Sequence, residues 1–409
     1  MRILAIQPFL GGYRIGPNAG GGDKAALRLA HHLAQAGHET YVLPWRKERI
    51  LNTRRFALAD DGSSATVLQT VHMPSNRACV KELISYCCKW TFRRSRLKNF
   101  GDLLLDMGRD GEVTLRRAME TARPDLVHVH QLHRGLAELY RDLDFKVPLI
   151  ATHHSPRLFV ALSSYDWVVF VSRLQRDEAI RREPSIAEKS QVIYYAVDAE
   201  YRIPITPKET GGVLYLGNLS KRKGLDILVR AYAADAELNR YPLTVVGDGE
   251  LRQSCERTAQ ERGLSVRFTG RLSHEANAAL MAQSSFFVMP SEAEGLAMVY
   301  LEALCMGLPI IGFPPNVSEL EELLGMKVGL PFDPPKEDPL RLAALIKEIM
   351  SPRSGFDLAH RAEMMRRARE RFSSDRFYAE YYAFYETILP SGAAGGGGDG
   401  RGEVTRRPS

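Results

Sequence analysis

The chain opens on Met1-Arg-Ile-Leu-Ala-Ile6, a short apolar run that predicts a buried strand, and then enters a turn carrying Gly11, Gly12, Gly16, Gly20, Gly21 and Gly22. From Lys24 the period changes. Leu27, Leu29, Ala30, Leu33 and Ala34 fall at helical spacing, Gly37 stops the helix, and Thr40-Tyr-Val-Leu43 returns to strand. Short apolar runs at 126–129, 147–151 and 167–171, separated by polar or helical stretches, continue the rhythm of buried parallel strands. The segment 194–198 and the proline-containing stretch 203–210 break it and predict a link between domains. A second cycle begins at Val213, where runs at 213–216, 243–246, 266–269, 286–289 and 310–311 alternate with helical patterns at 225–233, 250–262 and 275–282. The pattern predicts an α/β protein with one domain over residues 1–205 and a second over 206–375. An aromatic helix over 376–390 and a glycine-rich tail over 391–409, expected to be disordered, complete the chain.

At 409 residues the chain exceeds one ordinary core and suits two domains of roughly 150 to 200 residues, which implies a cleft between them. With 44% hydrophobic and 25% charged residues it reads as globular rather than disordered. No apolar run approaches the roughly 20 residues of a membrane span, and the opening strand lacks a small-residue cleavage site, so a cytoplasmic protein is expected. The five cysteines (Cys79, Cys87, Cys88, Cys255, Cys305) include no C-x-x-C pair, which argues against a disulfide framework or a zinc site. A net charge of +6 favours anionic ligands, but basic residues without stacking motifs do not point to nucleic acid.

The densest chemistry lies in Pro290-Ser-Glu-Ala-Glu-Gly-Leu-Ala-Met-Val-Tyr-Leu-Glu-Ala-Leu-Cys-Met-Gly-Leu-Pro-Ile-Ile-Gly312. A helix start after a strand and loop directs free N–H groups at a ligand. Glu294 stands at its mouth, and Glu302, about two turns down the helix, points near the same place. Ionised carboxylates accept bidentate hydrogen bonds from vicinal hydroxyls of a ribose or hexose; the alternative makes Glu294 a dipole-favoured first-turn residue and Glu302 an exposed polar position. Upstream, Tyr215-Leu-Gly-Asn-Leu-Ser-Lys-Arg-Lys-Gly224 loads a turn with cations, as suits diphosphate oxygens or a solvated basic surface. Val245-Val-Gly-Asp-Gly-Glu250 and Phe268-Thr-Gly-Arg-Leu-Ser273 are glycine turns at strand ends, where ligands bind in open α/β sheets. Gly20-Gly-Gly-Asp-Lys24 allows backbone approach to a phosphate but lacks the G-x-G-x-x-G spacing of a nicotinamide site. His128, His130 and His133 follow one strand and His153 and His154 the next, without the carboxylate spacing of a metal site, so no metal is expected.

Over residues 287–311 the chain resembles the retaining glycosyltransferases of family 4, whose GT-B fold is two Rossmann-like domains with parallel sheets facing across a cleft. The strand, the Pro-Ser loop, two glutamates with seven residues between them, the Glu-Ala pair and the Gly-x-Pro turn carry the likeness. It implies that Glu294 contacts the donor sugar and Glu302 the nucleotide ribose, with Gly295 and Leu296 beside them. The segment 215–224 is similar to the family's Gly-Arg-Leu-x-x-x-Lys-Gly stretch, whose arginine and lysine clamp the diphosphate. Lys223 matches the lysine, whereas Asn218 replaces the arginine and leaves Arg222 or Lys221 to compensate. By the same resemblance Gly247 and Arg271 border the base, and Gly21 and Gly22 lie near the donor phosphates. Thr152-His-His-Ser155 is similar to the family's Thr-x-His segment, which assigns His154 to the donor sugar near the reacting carbon, with His153 as the adjacent alternative. The likeness is strongest over 211–333, diffuse over 1–205, and absent over 45–120.

The resemblance implies a retaining hexosyltransferase with His154 and Glu294 as catalytic residues and a nucleotide diphosphate-sugar as co-substrate, with no other cofactor. Cations and helix N-termini would stabilise the departing nucleoside diphosphate in place of a metal. The acceptor is expected on the first domain as a small molecule, a glycan or a lipid-linked molecule. Cys87-Cys-Lys-Trp-Thr-Phe-Arg-Arg-Ser-Arg-Leu-Lys98 mixes aromatics and cations, which suits peripheral contact with the inner membrane face, a solvated helix face or a soluble acceptor. Two rival readings share the fold: a sugar-phosphate synthase and a nonenzymatic nucleotide-sugar-binding protein.

Overall fold

The computed structural model describes residues 1–8, 36–45, 48–57, 64–72, 109–155, 161–203, 211–334 and 338–389, with single positions at 26, 29, 30, 32 and 33. Gly21, Gly22, Cys79, Cys87, Cys88, the segment 87–98 and the tail 391–409 lie outside the described residues. The first sheet contains β1 (Arg2–Pro8), β2 (Glu39–Trp45), β3 (Glu48–Ala57), β4 (Ser64–His72), β5 (Leu126–His130), β6 (Leu149–His153), β7 (Trp167–Phe170) and β8 (Ser190–Val192). Its order is β3-β4-β2-β1-β5-β6-β7-β8. β3 runs antiparallel to β4 at one edge, and the other pairings are parallel. β5 and β6 are buried along their whole length, as a parallel strand covered on both faces must be.

The second sheet is wholly parallel: β9 (Gly212–Leu216), β10 (Leu243–Val246), β11 (Val266–Gly270), β12 (Ser284–Met289), β13 (Ile310–Gly312) and β14 (Gly329–Pro331), in the order β11-β10-β9-β12-β13-β14. The expected strands and the helices of the second cycle are present; the edge pair β3 and β4, within the stretch that matched no pattern, is an addition. The two sheets with their helices form the α/β architecture expected from the sequence.

The last two helices have different allegiances. Leu358–Arg371 contributes Met364 and Ala368 to the core of the second sheet, whereas Ser374–Ile388 lays Phe377, Tyr378, Tyr381, Phe384 and Tyr385 on Ile3, Leu126, Ile150 and Val169 of the first. Each of these buried rings contributes about 2 kcal/mol of apolar transfer. Polar atoms on that face are paired: His128 Nδ1 meets Tyr385 Oη at 2.7 Å, His128 Nε2 meets Thr152 Oγ1 at 2.7 Å, and Thr152 Oγ1 meets Tyr381 Oη at 2.9 Å. The chain therefore crosses back to its first sheet and links the two bodies a second time. Among the described residues no helix is long and apolar enough to cross a membrane.

Candidate functional site

The loops at the C-terminal ends of β9 to β12 touch one another. Leu219 N donates to Asp248 O (3.0 Å), Leu251 N to Leu219 O (3.0 Å), and Gly247 N to Gly270 O (2.9 Å). Two glycines permit this closeness. Gly247 has φ +133° and a Cβ there would overlap the Gly217 carbonyl; Gly224 has φ +72° and a Cβ would overlap the Pro290 carbonyl. The cationic turn after β9 is thereby pressed against the glutamate loop after β12.

At that junction Lys223 Nζ donates to Glu294 Oε1 at 2.7 Å, and Arg222 Nη1 donates to the same oxygen at 3.3 Å and to Ala293 O at 2.7 Å. Glu292 N donates to Arg222 O (2.9 Å), which adds a backbone clasp. The Glu294 side chain is only 8% exposed against 44% for Arg222, so the carboxylate is shielded while the guanidinium still faces water. Burial lowers the Lys223 pKa from its ordinary value, and the Glu294 carboxylate opposes that shift. Asn218 is exposed and turned toward the neighbouring glycine turn, since a Cβ on Gly249 would lie 2.8 Å from its Oδ1. Of the two residues proposed to compensate for it, Arg222 reaches the Glu294 loop; Lys221 is exposed, and so is Arg271 beyond β11.

The glutamate loop, 291–297, is held by residues that motif reading missed. Buried Asn316 donates from Nδ2 to Gly295 O (3.2 Å) and accepts at Oδ1 from Ala297 N (3.2 Å). Tyr300 donates to Met289 O (2.6 Å) and accepts from Phe313 N (3.0 Å), tying the following helix to β12 and β13. That helix spans Met298–Cys305, and no side chain caps it at Ala297. Glu302 is its fifth residue and so lies just over one turn in, rather than two, because the loop stays extended to Ala297. Glu302 is buried at 8% exposure, which overturns the exposed alternative. Gly295 and Leu296 are buried too.

On the first sheet His154 follows β6. Its Nδ1 lies 2.7 Å from Tyr195 Oη, and its backbone N donates to Gln131 Oε1 at 3.2 Å. Burial lowers its pKa to about 4. His153 points inward and is wholly buried. Gln175, on the helix Arg173–Arg182, joins the two halves: its Nε2 donates to Ser155 O (2.6 Å), and a Cβ on Gly295 would lie 2.5 Å from that same nitrogen. The His154–Ser155 and Glu294–Gly295 segments are thus brought together across Gln175. The other histidines serve locally, His128 in the buried network above and His133 as an acceptor for Leu136 N at a helix start. Among the described residues no group of three or more His, Cys, Asp or Glu is placed to hold a metal ion.

Comparison with known proteins bears on the family and the fold. The family profile described as glycosyl transferases group 1 matches residues 199–371, and that of Glycosyltransferase Family 4 matches 19–201. O-antigen chain mannosyltransferase B of Escherichia coli is 30% identical over 236 residues, 52% of this chain and 60% of that protein. The chain spans about 60% of the length of the first curated relatives it matches. Among solved structures, sucrose-phosphate synthase of Thermosynechococcus elongatus is similar with a TM-score of 0.67 at 17% identity, over 95% of this chain and 99% of that one. Anabaena HepE in complex with UDP and glucose gives 0.62 at 16% identity, over 95% and 100%. At such identities the likeness shows the fold. Two profiles that between them match residues 19–371, on a GT-B architecture, establish that the chain belongs to glycosyltransferase family 4.

Proposed function

We propose that the chain transfers a hexose-type sugar from a nucleotide diphosphate-sugar to an acceptor bound on the first domain, with retention of anomeric configuration and without a metal ion. The observation that carries this reading is the Lys223–Glu294–Arg222 cluster at the C-terminal ends of β9 and β12, facing the His154 segment across Gln175. Two cations around one carboxylate leave a net positive charge for a diphosphate. Upon donor binding, Lys223 and Arg222 exchange part of their contact with Glu294 for phosphate oxygens, and the released Glu294 oxygen accepts from sugar hydroxyls. Glu302 accepts from the ribose hydroxyls.

As the anomeric carbon–oxygen bond breaks, its electron pair passes to the β-phosphate oxygen, where Lys223, Arg222 and the uncapped helix start at Ala297 stabilise the charge. The acceptor hydroxyl attacks on the leaving-group face, and its proton passes to the departing phosphate. HepE, whose fold is similar, has been solved with UDP and glucose, which supports a nucleotide-sugar donor here.

Calorimetric titration with UDP, GDP and ADP, with and without magnesium, tests the reading on the wild type, Glu302→Ala and Lys223→Met. The expected result is micromolar binding of one nucleotide, weakened by both substitutions and indifferent to magnesium. No binding of any of the three defeats it.

A further inference from the structure

Two side chains outside the motifs hold His154 from different directions. Gln131, at the end of β5, has φ +131°, a conformation that a non-glycine residue adopts at a cost of roughly 1–3 kcal/mol. Its amide oxygen takes the His154 backbone N–H at 3.2 Å, and its Nε2 lies 3.4 Å from His153 Nδ1. Tyr195, on the segment leading from the first sheet toward the second, holds the ring: its Oη is 2.7 Å from His154 Nδ1. The His154 ring also lies near-parallel to Tyr195 (centroids 5.7 Å apart, 11°) and to His130 (6.0 Å, 13°), which fixes its plane.

Counting donors decides the tautomer. Tyr195 is 5% exposed and has one O–H, with His154 Nδ1 as its one hydrogen-bond partner among the described residues. His154 Nε2 is closed off from water and has no partner among them. Were Nδ1 to carry the proton, both the Tyr195 O–H and the Nε2 lone pair would be left unmade. With the proton on Nε2, only the Nε2–H lacks a partner. Each buried group left unmade costs about 1–3 kcal/mol, so the second arrangement is favoured. Charging the ring would bury a cation, which burial already opposes. The cavity that His154 lines with His130, Ile193, Tyr195 and Tyr381 has no room for a water, so no solvent held there supplies an acceptor.

We infer that Tyr195 is a positioning residue that fixes His154 as a neutral imidazole with its proton on Nε2, a buried donor that an oxygen of the transferred sugar takes up only by displacing the side chains that close it off from water. The sugar contact rests on the function proposed above; the tautomer does not. His154 stands one residue from the Gln175 bridge to Gly295, so the acceptor brought closest by donor binding is a sugar oxygen held beside Glu294. In this role His154 donates a hydrogen bond and transfers no proton.

The test is nitrogen-15 NMR of the full chain labelled at histidine, with His154 assigned by its loss in His154→Gln. The expected wild-type spectrum at neutral pH shows a neutral ring protonated at Nε2, and Tyr195→Phe, which keeps the ring stack, shows a mixture of tautomers. UDP-, GDP- and ADP-glucose serve as probes against the corresponding free nucleotides. The bound nucleotide-glucose shifts the Nε2 resonance beyond the nucleotide alone, and Tyr195→Phe slows hydrolysis of the bound probe about tenfold, the worth of one hydrogen bond, with nucleotide affinity unchanged. A proton on Nδ1 in the wild type overturns the role of Tyr195. A bound nucleotide-glucose that leaves Nε2 where the free nucleotide leaves it overturns the sugar contact. Failure of all three nucleotides to bind removes the proposed function and that contact together, while the tautomer still reports on Tyr195.

Discussion

Replacing Asn316 with leucine keeps the side-chain size and deletes two hydrogen bonds in one step. Asn316 is fully buried, and its amide is the side-chain partner of Gly295 O and of Ala297 N, at 3.2 Å each, in a loop with no ladder of its own. Leucine leaves both backbone groups unmade, at about 1–3 kcal/mol each, or roughly 2–6 kcal/mol together. The added apolar burial returns about 1–2 kcal/mol, so a net loss centred on about 2–3 kcal/mol is predicted. Asn316→Asp keeps the acceptor for Ala297 N but loses the donor to Gly295 O, placing an unpaired carboxylate there. Urea unfolding followed by circular dichroism measures both, with the midpoint falling and the slope unchanged for Asn316→Leu. The same loop sets Glu294 against Lys223, so calorimetry should show nucleotide-sugar binding weakened more than nucleotide binding. A leucine variant within about 0.5 kcal/mol of the wild type would mean that the loop backbone finds other partners and that Asn316 does not hold it.

Four further outcomes follow from the geometry. Burial holds His128 and His153 at a pKa of about 3 and His154 at about 4, against 6.5 unfolded. The unfolded chain then binds more protons below pH 6.5, so stability present above that pH is lost as pH falls toward 4, by up to about 1.4 kcal/mol per unit per histidine; urea midpoints at pH 7, 6 and 5 check the slope, which His128→Gln should reduce. Gly224→Ala, at φ +72° and against the Pro290 carbonyl, should lower the unfolding free energy, read from urea curves, by about 2 kcal/mol or more, and wild-type behaviour would remove the packing argument. Gln131→Gly relieves the strained φ while releasing His154 N, so thermal melting should hold or rise as sugar transfer falls; a parallel loss of both would mark Gln131 as merely structural. Glu319 is buried and accepts from Arg173 N (2.6 Å) and Tyr194 Oη (2.7 Å), joining the helix Pro314–Leu324 to Arg173–Arg182. Glu319→Ala should open the two halves, seen as a larger radius of gyration in small-angle X-ray scattering and as weaker donor binding, and an unchanged radius would exclude it as a latch.

Periodicity made the sheets legible because a buried parallel strand must be apolar along its whole length, as in Leu126–Val129 and Phe286–Met289. The edge strand β3 escaped because its run, Glu48-Arg-Ile-Leu-Asn-Thr-Arg-Arg, mixes charge with apolar positions as edge strands do, and β4 because Ser64-Ala-Thr-Val-Leu-Gln-Thr-Val-His72 interrupts its apolar residues with polar ones. Lys223, Glu294 and Glu302 were legible as residue types at fixed spacings. Asn316, Tyr300, Gln175 and Tyr195 were not, since each acts on backbone or ring atoms 11 to 120 residues away, counted from Tyr300 to Met289 and from Gln175 to Gly295. Their chemistry is ordinary, and only the fold supplies the partner.

The same distinction separates the two cations proposed to compensate for Asn218. Sequence order left Arg222 and Lys221 as equal candidates, one residue apart in a turn of three basic residues. A short helical turn separates neighbours by about 120° around its axis, so adjacent side chains leave in different directions. Gly224, left-handed and pressed under Pro290, fixes the rotation of that turn. With the rotation set, Lys223 meets Glu294 and Arg222 reaches Ala293 O and the edge of the same carboxylate, while Lys221 is left at the surface. The choice between two cations is therefore made by a glycine and a carbonyl that carry no charge. A guanidinium anchored through one nitrogen on a backbone carbonyl keeps its remaining donors for a phosphate, which supports the proposal that Arg222, rather than Lys221, answers for the charge that Asn218 lacks.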